Sequence, residues 1–244
     1  MTRRHATNCA PAQKGDAHKI MRAPTKSRVW LFDLDNTLHN ATPHIFPHIN
    51  RSMREYIERH LGVDDTEATR IRQEYWVRYG ATLLGLMRHH GTDPRHFLWE
   101  THQFPDLKRM VVFDKQLIHQ LRRLPGRKII FSNAPRHYAD AILDITGLGA
   151  CFDAVYSVEN VRFQPKPMMA GFRALLRAEH LDPRRCIMVE DSLPNLVTAK
   201  KLGMKTVWVS TGLRQSPFVD VKIRSATQLS KFYGRLEISA KNEI

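Results

Sequence analysis

The run Val29-Trp30-Leu31-Phe32, continuing into Asp33-Leu34-Asp35-Asn36-Thr37, constrains this chain more than any other stretch. Large apolar residues stand side by side without helical spacing, and the run breaks off into carboxylates and a hydroxyl. A strand covered on both faces reads this way; a half-exposed strand would alternate. Its polar end then sits at the C-terminal tip of a central parallel strand, where open α/β sheets bind their ligands. Two acids this close repel each other when ionised. A cation relieves the conflict, and oxygen-only ligands select a hard one, Mg²⁺. Taken alone, the same stretch is equally a polar turn, because Asp, Asn and Thr are ordinary turn and cap residues.

Composition narrows the setting. At 244 residues, with 42% hydrophobic and 25% charged, the chain can bury one core and carry a modest insertion. No apolar run approaches the roughly 20 residues that cross a bilayer, so no membrane partner is expected. Cys9, Cys151 and Cys186 form no C-x-x-C pair. Neither a disulfide framework nor a thiolate metal site is indicated, and a reducing cytoplasm is the simplest location. The net charge of +14 raises nucleic acid as a partner. Much of that charge is peripheral, with seven Lys or Arg in residues 1–28 against the single Asp16. Residues 1–27 read as a disordered basic tail and 236–244 as a frayed end. No helix-turn-helix, zinc or RNA-binding motif accompanies the charge.

From 39 to 108 strand signals vanish. Met53, Tyr56, Ile57 and Leu61 make one helical stripe, Ile71, Tyr75, Trp76 and Tyr79 a second, and Leu83, Leu84 and Met87 a third. A segment of about 70 residues is too long for a loop and reads as a small helical domain. His44, His48, His89 and His90 are read as surface or satisfied polar groups. From 109 to 235 strands and helices alternate. Strands are expected at 128–131, 154–157, 186–189 and 205–209, and helices at 112–124, 135–146, 168–180 and 195–202. This order argues a doubly wound parallel sheet with helices on both faces.

Further strand ends carry polar groups suited to one anion: Ser132-Asn133, then Lys166 between two prolines, then Glu190-Asp191. Each is unremarkable alone. Because the strands run the same way, all of them meet above one edge of the sheet.

Asp33-x-Asp35-x-Thr37, Ser132, Lys166 and Glu190-Asp191 with Ser192 and Asn195 together resemble the motifs of the haloacid dehalogenase-like hydrolase superfamily, in the same order. The resemblance implies a Rossmann-like core at 28–38 and 109–235, a sheet ordered 5-4-1-2-3, and a helical cap at 39–108. It implies that Asp33 is a nucleophile forming an aspartyl-phosphate and that Asp35 is the acid and base. Mg²⁺ would be held by Asp33, the Asp35 carbonyl, Asp191 and Glu190. Thr37, Ser132, Asn133 and Lys166 would bind a phosphoryl group. Dehalogenases of similar architecture do not use an acid at the Asp35 position, so Asp35 argues phosphoryl chemistry on a small phosphate monoester. Within the superfamily, Tyr75 to Leu86 and Phe131 to Ala134 resemble the pyrimidine 5'-nucleotidase branch, which implies UMP or CMP as substrate. A sugar-phosphate or phosphoglycolate phosphatase and a phosphomutase are the enzyme alternatives. A basic nucleic-acid-binding or scaffold protein is the non-enzyme one.

Overall fold

In the computed structural model, which describes residues 28–236, β1 (Val29–Phe32) has every residue buried. Its side chains alternate between two cores, as strand geometry requires. Trp30 and Phe32 join one core, with Leu117, Leu121, Tyr138 and Ile142, whereas Val29 and Leu31 join another, with Phe172, Leu175, Leu196 and Ala199. The strand is therefore apolar throughout because neither face meets water.

β1 pairs in parallel with β2 (Arg127–Phe131) on one side and β4 (Cys186–Glu190) on the other. β3 (Ala154–Tyr156) lies outside β2, and β5 (Lys205–Val209) and β6 (Val221–Ile223) lie outside β4. The expected order 5-4-1-2-3 holds, with β6 added at one edge. Val221-Lys222-Ile223 is too short to give a strand pattern in sequence. The register matters for chemistry: Phe32 stands opposite both Ile130 and Val189. The tips of the three central strands are consequently level, and Asp33 N–H still donates to Val189 O at 3.0 Å.

Between β1 and β2 lie α1 (Ile45–Leu61), α2 (Asp65–Tyr79), α3 (Thr82–His90), α4 (Pro94–Thr101), α5 (Leu107–Met110) and α6 (Gln116–Arg123). Tyr56, Ile57, Ile71, Tyr75, Leu83, Leu86, Phe97 and Leu98 form a core in this insertion, which Val158 from the segment after β3 completes. Ile45 and Ile49, at the start of α1, pack instead into the core beside β1. Two stripes differ in phase from expectation. Trp76 is 63% exposed, and α3 buries Leu83 and Leu86 in place of the expected Leu83, Leu84 and Met87. The reason lies at Gly85, where a Cβ would meet the Tyr75 ring at 2.1 Å, so α3 presses its glycine side onto α2.

The helix expected at 112–124 begins only at Gln116. Val112 pairs antiparallel with Asn40, whose N–H donates to Val112 O at 2.8 Å. α7 (Arg136–Thr146), α8 (Met169–Ala178), α9 (Leu193–Lys201) and α10 (Leu229–Phe232) complete the helices. Leu236, expected in the frayed end, is fully buried; the remainder of that segment and the 1–27 tail lie outside the described residues. Among the described residues no helix is long and apolar enough to cross a membrane.

The loop after β3 is held tightly against α8. Arg162 and Phe163 both take φ of 55°, in the left-handed region, and Phe163 N–H is fixed to Val158 O at 2.9 Å. A Cβ at Gly171 would lie 2.0 Å from the Gln164 carbonyl oxygen. Gly171→Ala should therefore cost about 1–3 kcal/mol or more, measured by urea unfolding, and a neutral change would show that the loop yields freely.

Candidate active site

Each expected strand tip delivers its group. Asp33 leaves β1 buried, Glu190 ends β4 buried, and Lys166, only 1% exposed, lies between them. Lys166 Nζ donates to Asp33 Oδ1 at 2.7 Å and to Glu190 Oε2 at 2.8 Å. An ammonium buried this deeply is tolerable only with such partners. Burial works against its charge, but Asp33 and Glu190 outweigh that and hold it protonated well above the usual lysine value.

Glu190, expected among the metal ligands, has both oxygens engaged by protein donors. Oε2 also accepts from Asn195 Nδ2 at 3.0 Å, and Oε1 accepts from the main-chain N–H groups of Asp191 and Ser192 at 3.1 Å. Burial pushes its carboxyl up, yet Lys166 and these hydrogen bonds hold it below the ordinary value. Asn133, expected on the phosphate, instead brackets the lysine's main chain. Its Nδ2 donates to Lys166 O and its Oδ1 accepts from Lys166 N–H, both at 2.8 Å. Ser132 is buried, and its Oγ accepts from Ala134 N–H at 3.0 Å, which leaves the hydroxyl proton to donate elsewhere. Thr37 Oγ1 is buried and finds no partner among the described residues. Its hydroxyl suits an oxygen brought by a ligand.

The acids carry more negative charge than one lysine balances. Asp33, Glu190 and Asp191 each offer an oxygen within 4.8 Å of the others. Burial first, and then the neighbouring Glu190, push Asp33 up to about 7. Burial, Asp33 and Glu190 push Asp191 up to about 9. An all-oxygen cluster in which carboxylates resist ionising fits a hard divalent cation, whose charge would offset the repulsion.

Asp35 faces other partners that the sequence reading missed. Tyr138, in α7, donates its hydroxyl to Asp35 Oδ1 at 2.5 Å, and His39 Nε2 lies 3.0 Å from the same oxygen. The His39 and Tyr138 side chains are buried. His39 follows Asp35 by one turn of four residues, a spacing that could have flagged it; Tyr138 is 103 residues away and carries no local signal.

A model of the haloacid dehalogenase-like hydrolase family matches residues 28–203. This chain belongs to that family. Among similar members, validoxylamine A 7'-phosphate phosphatase of Streptomyces hygroscopicus subsp. limoneus is 27% identical over 75% of this chain and 86% of its own length. Phosphate metabolism protein 8 of Saccharomyces cerevisiae is 25% identical over 57% of this chain, which spans under half (46%) of that relative. The crystal structure of a HAD phosphatase from Thermococcus onnurineus shares the fold with a TM-score of 0.61 and 23% identity, covering 86% of this chain and 100% of that one.

For this HAD-like chain the acidic cluster sets a pH dependence. Folded Asp33 and Asp191 retain protons that unfolded carboxyls release near pH 4. Their stabilising contribution is complete below that pH and is lost as pH rises through about 7 and about 9. His102 acts oppositely. Burial lowers it to about 4, so its cost appears only below the unfolded value of about 6.5. In EDTA, stability should fall between about pH 6.5 and 9, and excess Mg²⁺ should abolish the fall. Thermal melting across that range, with and without the ion, checks this; a flat EDTA profile would contradict it.

Proposed function

We propose that this chain is a Mg²⁺-dependent phosphomonoesterase that works through a phosphoryl group on Asp33. The carrying observation is the buried Asp33–Lys166–Glu190 chain of charge, with Asp191 beside it and the Thr37 hydroxyl without a partner among the described residues. The phosphatase name of the Streptomyces relative, 86% of whose length is matched, supports the same reading.

In this mechanism an Asp33 oxygen attacks phosphorus and the bond to the ester oxygen breaks. Asp35 gives its proton to that leaving oxygen, so the alcohol departs neutral. Water then attacks the aspartyl-phosphate, Asp35 takes its proton, and phosphate leaves Asp33 free. Splitting the hydrolysis replaces one difficult step by two easier ones. Proton transfer of this kind contributes typically about 10²- to 10⁴-fold. Lys166 and the hydroxyls of Thr37 and Ser132 hold the phosphoryl oxygens, and Asn133 keeps Lys166 in place. Asp33, Asp191 and the Asp35 carbonyl would hold Mg²⁺, which supplies positive charge against the anionic ester and nucleophile. Tyr138 and His39 orient the Asp35 carboxyl toward the leaving group.

The substrate we infer is a pyrimidine nucleoside 5'-monophosphate, UMP or CMP. Gly80, which opens the turn between α2 and α3, sits against Pro167, with an added Cβ only 3.2 Å from the proline ring. The Tyr75–Leu86 motif thus borders the residue next to Lys166, and Tyr75 shapes that turn by packing on Gly85 rather than by stacking on a base. An exposed aromatic, Trp99, lies with its ring centroid 5.0 Å from that of His137 in α7 and offers a surface for a flat ring.

Asp33→Asn should abolish phosphate release while the protein still folds, and EDTA should do the same reversibly. Retained activity in either case would overturn the mechanism. In a phosphate-release screen, UMP or CMP should give a higher kcat/KM than AMP, GMP, phosphoglycolate or a hexose phosphate. A different winner would remove the nucleotidase assignment and leave the phosphatase one.

Tyr138→Phe should lower kcat for a nucleotide more than for p-nitrophenyl phosphate, whose leaving group needs less protonation, with little change in KM. Equal losses on both esters would assign Tyr138 to packing alone.

A further inference from the structure

Apart from the acidic cluster, one other group of side chains among the described residues gathers metal-ligating atoms: His60, His96 and Glu100 in the helical insertion. We propose that these three residues form a second metal site, selective for a borderline divalent ion such as Zn²⁺. Two imidazole nitrogens with one carboxylate oxygen are a donor set that suits Zn²⁺ and not Mg²⁺, which prefers oxygen.

The ligand atoms already lie close enough together to share one ion. His96 Nε2 lies 3.1 Å from Glu100 Oε1, His60 Nε2 lies 3.8 Å from Glu100 Oε2, and the ligand atoms all fall within 4.8 Å of one another. Tetrahedral Zn²⁺ with bonds of about 2.0–2.1 Å places neighbouring ligands roughly 3.4 Å apart. Small side-chain rotations close the difference. His96 and Glu100 are spaced four residues apart on α4, so both project from one face, and His60 comes from the last turn of α1.

The supporting residues hold the ligands in place. Tyr56 and Phe97, both buried, pack edge to face at 5.0 Å and fix α1 against α4. The Tyr56 ring stacks on His60 at 4.1 Å, and its hydroxyl lies 3.0 Å from His96 Nδ1. A hydrogen-bond partner on the far ring nitrogen is how metal-bound imidazoles are oriented and their tautomer set. Arg59 donates to Glu100 Oε2 at 2.9 Å, leaving Oε1 for the ion. Tyr56 and Arg59 are thus the outer partners of the site. His60, His96 and Glu100 are all partly exposed, so a fourth position is open to water or an incoming ligand. The ion would join the end of α1 to α4 and stiffen the insertion.

The test is calorimetric titration of the full chain with Zn²⁺ in saturating Mg²⁺, which holds the acidic cluster occupied. One Zn²⁺ should bind and raise the melting temperature. His60→Ala and His96→Gln should each weaken binding about tenfold or more while leaving the metal-free melting temperature and the Mg²⁺-dependent activity unchanged. If either variant lowers the metal-free melting temperature, the Co²⁺ visible spectrum of Glu100→Gln decides instead, and it should lose the tetrahedral band of the wild type. Zn²⁺ that binds the variants as tightly as the wild type, that Mg²⁺ displaces, or that does not bind at all would overturn the site.

Discussion

A single ammonium, Lys166, holds the chemistry of this protein together. Left alone at its depth, it would cost several kcal/mol in lost hydration, and removing either carboxylate partner would leave a buried charge uncompensated, typically about 3–5 kcal/mol. Asp33 and Glu190 therefore have to reach it, and they come from neighbouring parallel strands whose tips the register makes level. The rest of the loop serves the same end. Asn133 from the tip of β2 clamps the lysine's main chain, and Thr198 Oγ1 in α9 donates to Pro167 O at 2.8 Å. Fold and site are in this sense one constraint: a parallel sheet is what brings four distant segments to one cation.

The balance of charge then explains the site's appetite for a second cation. Glu190 spends its capacity on Lys166, Asn195 and main-chain N–H groups, so the excess negative charge rests on Asp33 and Asp191. Their raised values are the electrostatic expression of that excess. A divalent ion held there would favour the ionised forms of both carboxyls.

Much of this was legible in the sequence, for physical reasons that also mark the limits. β1 could be read because burial on both faces removes alternation, and the change from Phe32 to Asp33 is abrupt. Lys166 could be read because prolines flank it. Helix phase was harder. Trp76 has the right spacing for a buried stripe yet points to water, since only the close fit of Gly85 on Tyr75 decides how α3 sits on α2. Val112 looks helical until its pairing with Asn40 is known, and β6 has too few residues to show a period. The pairing of Tyr138 with Asp35 was invisible because the two lie in different parts of the chain. Long-range side-chain pairing leaves no trace in local pattern.

The contact between Asn40 and Val112 has a consequence for the architecture as a whole. The chain leaves the sheet and comes back to it through one narrow neck, where outgoing and returning backbones are fastened to each other. Between the two ends of that neck, α2, α3 and α4 gather around a core of their own, while the start of α1 and α5 stay packed against the sheet. Because the two ends already touch there, the separation of β1 from β2 is set at the neck rather than by the length of the helices beyond it.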